Sequence, residues 1–74
     1  MTDGNMEAIQ SGWSVWTADG TKLGTIIAVE PTELRVKKNG LLGGEVTIPR
    51  DAVDEVETGR VEITLTKKEA TRGN

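Results

Sequence analysis

The stretch that decides the fold is Gly12-Trp-Ser-Val-Trp-Thr-Ala-Asp-Gly-Thr-Lys-Leu-Gly-Thr-Ile-Ile-Ala-Val-Glu30. Two apolar runs in it flank Asp19-Gly20, a residue pair that readily adopts the positive φ of a tight hairpin turn. The second run contains Gly24, at a point where a bulge or a close approach of two backbones would need a residue without a Cβ. The stretch therefore predicts two antiparallel strands joined by a short turn.

The rest of the chain continues this pattern with four further strands. Apolar and polar residues alternate over residues 34–37, 45–48 and 61–65, which is typical of antiparallel strands with one dry face. A less regular strand carries Val53 and Val56. Thr66-Lys-Lys-Glu69 has the spacing of a capping box, so a short C-terminal helix begins there. The predicted fold class is all-β: a small six-stranded antiparallel barrel or roll with a short C-terminal helix.

The predicted core collects the apolar residues on the inner face of these strands. Because side chains alternate along a strand, Trp13 and Val15 share that face while Trp16 falls on the opposite one. The predicted core residues are Trp13, Val15, Leu23, Ile26, Val29, Leu34, Val36, Val46, Ile48, Val53, Val56, Val61, Ile63 and Leu65.

Length sets the domain organisation. A chain of 74 residues forms one domain, which at this size buries only about 60% of its unfolded surface. Composition divides it into a flexible N-terminal segment over residues 1–11, the β domain over residues 12–69 and a flexible tail over residues 70–74. Within the first segment, Met6 and Ile9 are expected to lie across one mouth of the barrel.

Composition also limits the chemistry. The chain has no Cys and no His, which removes thiolate metal sites, disulfides and the commonest near-neutral general base. Four acidic residues alternate with Val53 and Val56, which favours a solvated strand face over a cation site: Asp51, Asp54, Glu55 and Glu57. Gly40 to Gly44 leads into Glu45 and a strand, whereas a phosphate loop leads into a helix. We expect no enzyme activity, no cofactor and no metal.

Charge and hydropathy predict where the protein works. Its 9 basic and 12 acidic residues give a net charge of −3, which provides no general attraction to nucleic acid. The basic group Arg35, Lys37 and Lys38 lacks the neighbouring aromatic residues that stack on bases. The longest apolar stretch, residues 26–29, is far too short to span a bilayer, and the start of the chain does not read as a secretory signal. A soluble cytoplasmic protein without membrane insertion is expected.

A family resemblance rests on three segments: residues 12–26, residues 48–56 (Ile-Pro-Arg-Asp-Ala-Val-Asp-Glu-Val) and residues 60–69 (Arg-Val-Glu-Ile-Thr-Leu-Thr-Lys-Lys-Glu). Together they resemble the PRC-barrel superfamily, in particular its small stand-alone bacterial members of unknown function. The resemblance implies a six-stranded antiparallel barrel used for protein contact. Relatives in that superfamily include the cytoplasmic domain of the photosynthetic reaction centre H subunit and a C-terminal domain of a ribosome maturation factor. The superfamily has no shared site, so the resemblance transfers no functional residues.

The expected function is a non-catalytic protein-interaction or adaptor module. Its candidate partner-binding residues are Leu41 and Leu42, which lie in a glycine loop, and Trp16, which falls on the outer face. Two hypotheses remain for the loop: a lid on the barrel mouth, or an interface. The partner is expected to be a protein, including a second copy of this chain. The alternative function is an RNA- or ribosome-associated maturation or assembly factor domain, which salt-dependent nucleic-acid affinity would reveal.

Overall fold

A computed structural model of the chain describes residues 9–39 and 43–72. It contains six strands, one turn of 3₁₀ helix and one α-helix, in the order β1 (Ser14–Trp16), β2 (Lys22–Val29), β3 (Glu33–Lys38), β4 (Gly44–Pro49), the 3₁₀ turn (Arg50–Ala52), β5 (Val53–Glu57), β6 (Arg60–Ile63) and α1 (Lys67–Arg72). The strands form one sheet in the order β4-β3-β2-β1-β6-β5. The predicted mostly-β fold with a short C-terminal helix is confirmed.

The sheet is mixed and open, which corrects the antiparallel barrel expected from the sequence. β1 and β6 pair in parallel, with Val15 opposite Val61. The other neighbouring strands pair antiparallel. β4 and β5 remain at the two edges, so the sheet does not close. Alternation along a strand predicts which side chains face inward, but it does not predict which strands become neighbours. The parallel pairing of β1 with β6, which are far apart in the sequence, could therefore not be predicted.

The short connection between β4 and β5 forces the sheet to curve. The two strands lie at opposite edges, and five strand spacings would separate them by about 24 Å if the sheet were flat. Pro49 and Val53 are joined only by the 3₁₀ turn, and a chain segment of that length spans at most about 15 Å. The edges must therefore approach each other where this turn connects them, and the inner faces of the strands enclose the core.

The core matches the predicted one closely and differs from it at one strand end. Nine large side chains are almost completely buried: Leu23, Ile26, Leu34, Ile48, Ile63, Val15, Val36, Val46 and Val61. Four further predicted members, Trp13, Val53, Val56 and Leu65, are partly buried and pack against them. Val29 is not a core residue, because it ends β2 beside the Glu30–Glu33 turn and is 37% exposed. Ile9, Ala52 and Ala70 join the core from outside the strands.

The turn at Asp19-Gly20 is confirmed. Thr17 and Thr21 pair across it, with the Thr17 N–H donating to the Thr21 carbonyl oxygen at 2.8 Å. The loop therefore contains Ala18, Asp19 and Gly20. Gly20 has a φ of 82°, and it is this glycine that supplies the left-handed conformation the turn needs.

Gly24 lies at a bulge and at a close approach of two backbones, as its position in β2 predicts. The register between β1 and β2 shifts at Val15 and Trp16, which leaves Leu23 as the extra residue. A Cβ added at Gly24 would lie 1.9 Å from the Lys37 carbonyl oxygen. The missing side chain therefore lets β2 and β3 pair at normal distance.

A second bulge explains the adjacent isoleucines of β2. Between β2 and β3 the register shifts from Ile26 opposite Val36 to Ala28 opposite Arg35, so Ile27 is the extra residue. Ile26 is buried, whereas Ile27 is 40% exposed. The bulge thus lets two consecutive isoleucines have different surroundings without breaking the strand.

The capping box at the start of α1 is confirmed. The Thr66 N–H donates to Glu69 Oε1 at 3.0 Å, and the Glu69 N–H donates to Thr66 Oγ1 at 3.2 Å. These two bonds satisfy backbone donors that a helix leaves free at its N-terminus. They hold α1 in place so that Ala70 lies in the core.

Candidate protein-interaction surface

The candidate surface lies on the outer face of the parallel pair β1 and β6. The register sets Ser14 opposite Arg60 and Trp16 opposite Glu62. Between these residues Val15 points into the core and is fully buried. Because side chains alternate along each strand, the four flanking residues share the outer face. We call Ser14, Trp16, Arg60 and Glu62 the Trp16 cluster.

The Trp16 cluster is held together by contacts among its own members. The Arg60 guanidinium carbon lies 4.4 Å from the centroid of the Trp16 ring, within the range of a cation–π contact. Arg60 Nη2 also lies 3.0 Å from Glu62 Oε2. The Trp16 indole N–H donates to Ser14 Oγ at 3.1 Å, and Ser14 Oγ donates to the Gly59 carbonyl oxygen at 3.2 Å. These bonds fix the orientation of the Trp16 ring.

The cluster offers the side chains that dominate many protein interfaces. Trp and Arg are the residue types whose truncation most often weakens a complex strongly. The Arg60 and Glu62 side chains are 42% and 36% exposed, and Trp16 is half-buried. Arg60 Nε is buried and has no hydrogen-bond partner in the part of the chain that the structure describes. The ring contact, the ion pair and the two hydrogen bonds hold the exposed side chains of the cluster in one arrangement.

Charge changes sign across the outer face. On one side of the cluster, Lys22 lies opposite Trp16 on β2, and Lys37 lies further out on β3. On the other side, Glu55 lies opposite Glu62 on β5, and Glu57 lies opposite Arg60. On the outer face, β2 and β3 thus present lysines on one side of the Trp16 ring, and β5 presents glutamates on the other side.

A separate polar network organises the hairpin turn beside the cluster. Thr17 Oγ1 contacts both Asp19 Oδ1 and the Thr21 carbonyl oxygen, and Thr17 is buried. The hydrogen bond from Thr17 lowers the pKa of Asp19, and backbone N–H groups, including that of Lys67 in α1, lower it further. The Asp19 carboxylate is therefore favoured in its charged form. This network supports the turn that follows β1.

The structure places one of the three predicted binding residues. Trp16 lies on the outer face, as the alternation of β1 predicts. Leu41 and Leu42 lie outside the described residues, and a role for any of the three in binding stays a prediction. Arg60 was missed, because the sequence places it in the turn after Glu57, whereas the structure starts β6 with it. No local sequence signal pairs Arg60 with Trp16, since their contact depends on the parallel pairing.

The acidic residues near β5 lie on the surface, as expected. Asp51, Asp54, Glu55 and Glu57 are exposed. No group of three or more Asp or Glu side chains within residues 9–39 and 43–72 is arranged so that it could hold a metal ion. The helix over the same ranges is neither long enough nor apolar enough to cross a membrane.

Comparison with known proteins assigns a family and corrects the resemblance. Residues 9–71 match the model of a family described as "Uncharacterized protein conserved in bacteria (DUF2171)". The assignment to the PRC-barrel superfamily is therefore wrong, since this different family is matched over almost the whole domain and nothing indicates PRC-barrel membership. The motifs behind that assignment were turn residues and hydrophobic spacing, which unrelated small β domains share. No curated protein matches the chain.

Proposed function

The chain belongs to the DUF2171 family of uncharacterized bacterial proteins, and we propose that it acts as a non-catalytic protein-interaction or adaptor module. Its site of action in this proposal is the cytoplasm. The observation that carries the proposal is the Trp16 cluster, a half-exposed aromatic ring stacked under Arg60 on an otherwise charged face. A ring fixed in this way loses little conformational freedom when a partner covers it.

The chemistry of the chain supports a binding role over catalysis. With no His and no Cys in the sequence, a nucleophile paired with a base of the usual Ser/His or Cys/His kind cannot form. The polar side chains of the Trp16 cluster are engaged with one another in an ion pair and hydrogen bonds. Such groups position an interface and give it specificity.

Leu41 and Leu42 are included in the proposed surface on sequence grounds. If that segment is extended, two consecutive leucines cannot both point into the core, because neighbouring side chains alternate. On that condition one of them is available to a partner in this proposal. The loop precedes β4, at the opposite edge of the sheet from β5.

An RNA- or ribosome-associated role is the second candidate. It is favoured by Arg35 and Lys37, which are exposed on β3 together with Lys22 on β2. It is opposed by the exposed acids Glu55 and Glu57, which would repel a phosphate backbone that extended across the sheet. RNA affinity that falls steeply with salt would favour this candidate over the protein-binding one.

The proposal is tested by capture from a native bacterial lysate, with the immobilised protein as bait. The parent is compared with Trp16→Ala and with the double variant Leu41→Ser/Leu42→Ser. Ile27→Ser is the matched control, since Ile27 is also an exposed apolar residue but lies at the β2 bulge outside the proposed surface. We expect the parent and Ile27→Ser to retain the same partner and Trp16→Ala to lose it. Retention of the same proteins by folded Trp16→Ala and by the double variant would refute the proposed surface.

A further inference from the structure

The edge strand β4 has backbone groups that its own sheet does not use. The Arg50 N–H donates to the Thr32 carbonyl oxygen, which continues the β3–β4 pairing by one residue. Hydrogen-bonded pairs alternate along an antiparallel ladder. The backbone N–H and C=O groups of Val46 and Ile48 therefore point toward β3. The backbone polar groups of Glu45, Thr47 and Pro49 point away from β3.

The pairing on the other side of β3 gives the same alternation. The Asn39 N–H donates to the Leu23 carbonyl oxygen, so the odd-numbered residues of β3 bond to β2 and the even-numbered ones to β4. Within the described ranges, β4 pairs with β3 alone. α1 lies close to β4, and Ala70 of α1 belongs to the same core cluster as Val46 and Ile48 of β4.

The two edges of the sheet differ in how they discourage pairing. β5 has a bulge at Asp54 and carries three acidic residues in five positions, both of which oppose the addition of a strand. β4 pairs with β3 in unbroken register from Lys38–Gly44 to Glu33–Pro49. Its only charged residue is Glu45, and its only proline is the last residue. β4 is the less protected edge.

We propose that β4 pairs with β4 of a second copy of this chain, antiparallel about a two-fold axis at Val46, to form a continuous sheet across a dimer. In this register Glu45 of each copy lies opposite Thr47 of the other. The N–H and C=O groups of both residues point outward, so all of them find partners. A register centred on Thr47 would place Glu45 opposite Pro49, which has no N–H to donate.

Charge complementarity supports the same register. Arg35 lies opposite Thr47 within one copy, and Lys37 lies opposite Glu45. Across the dimer, four side chains follow one another from strand to strand on the outer face. They are Lys37 and Glu45 of one copy, then Thr47 and Arg35 of the second copy. Glu45 and that Arg35 stand two strand spacings apart, about 10 Å between backbones, which their long side chains can bridge over the short Thr47. Arg35 now forms an ion pair with Glu30 at 3.5 Å. Because this pair is exposed it contributes little stability, so Arg35 can exchange Glu30 for Glu45 of the second copy.

Hydrogen exchange measured at two concentrations tests this proposal on the unmodified chain. At millimolar concentration the protein should sediment at twice its 8.0 kDa mass. The Glu45 and Thr47 amides should exchange at least about tenfold more slowly at millimolar than at low micromolar protein concentration. Val56 is the internal control, because its N–H points outward from the other edge strand and should exchange equally at both concentrations. A monomer at millimolar concentration, or a dimer in which the Glu45 and Thr47 amides gain no protection, would overturn the proposal.

A pair of variants at position 47 isolates the backbone group. Thr47→Pro removes an N–H that β3 does not use, so it should leave the fold intact and abolish the dimer. Thr47→Val keeps the N–H and should still dimerise. Should Thr47→Pro fail to fold, Glu45→Lys should weaken the dimer at least about tenfold and added Arg35→Glu should restore it. A dimer as tight in folded Thr47→Pro or in Glu45→Lys as in the parent would refute the β4 interface. This interface does not include Trp16, so its failure leaves the proposed adaptor function untouched.

Discussion

The Arg60 guanidinium carbon lies 4.4 Å from the centroid of the Trp16 ring, although the two residues come from strands far apart in the sequence. The parallel pairing of β1 with β6 is what brings them together. Both residues lie on the outer face, so their contact adds nothing to the core. It orders an aromatic ring on the surface.

Removing the arginine should loosen this surface with a small loss of stability. We expect Arg60→Ala to lower the free energy of unfolding by about 0.5–1 kcal/mol, since an exposed cation–π contact is worth that much. The emission of Trp16 should shift to longer wavelength because water reaches its ring. Glu62→Ala is the matched control: it removes only the exposed ion pair and should leave the emission maximum unchanged. Equal emission spectra for the parent and Arg60→Ala would contradict the stack.

Adding a methyl group at Gly24 should be costly. Its Cβ would lie 1.9 Å from the Lys37 carbonyl oxygen, so β2 and β3 must separate locally. We expect Gly24→Ala to destabilise the protein by roughly 1–3 kcal/mol in chemical denaturation. Gly59→Ala provides the comparison, because Gly59 has a φ of 84° and open space around its Cα. It should cost only the roughly 1–2 kcal/mol of a left-handed alanine. A Gly24→Ala variant as stable as the parent would disprove the close approach.

Loss of the capping box should release α1. Thr66→Ala removes the oxygen that accepts the Glu69 N–H, and we expect it to cost about 1 kcal/mol. Amide exchange at Ala70 should be faster in Thr66→Ala than in the parent, because the helix holds Ala70 in the core. Lys68→Ala lies in the same helix with an exposed side chain and should change neither quantity. Unaltered exchange at Ala70 in Thr66→Ala would show that the cap does not hold the helix.

The stability of the hairpin turn should depend on pH through Asp19. The Thr17 hydrogen bond lowers the pKa of Asp19 in the folded state, so the ionised Asp19 carboxylate stabilises the folded protein. This stabilisation is fully present above the unfolded pKa of about 3.9 and is lost as the pH falls through the lower folded pKa. Asp19→Asn should therefore melt at a lower temperature than the parent at pH 7. The two melting temperatures should converge in strong acid. A difference that persists unchanged at the lowest pH would show that the charge of Asp19 is not its cause.

Local features of the fold could be predicted from sequence because local chemistry causes them. The Asp19-Gly20 turn, the Thr66–Glu69 cap and the special role of Gly24 each follow from residues close together in the chain. Alternation also predicts most of the core, because it reports which face of a strand is dry. It fails for Val29, since burial at a strand end depends on what lies beyond the strand.

Long-range relationships could not be predicted in the same way. Nothing in residues 14–16 or 60–63 indicates that these strands run parallel, because each strand is equally amphipathic in either direction. The Arg60–Trp16 stack follows from that pairing, and the sheet is open because β4 and β5, at its two edges, do not pair with each other. The family assignment failed for a related reason, since turn and spacing motifs describe a kind of architecture and not a lineage.

The central claim, that Trp16 belongs to a protein-binding surface, is tested most directly by NMR of the indole N–H groups. The chain has two tryptophans and so gives two indole signals, with the half-buried Trp13 packed against the core as an internal control. When the partner captured from lysate is added to the labelled protein, we predict that the Trp16 signal shifts or broadens while the Trp13 signal stays in place. Binding that leaves the Trp16 signal unchanged would contradict the account.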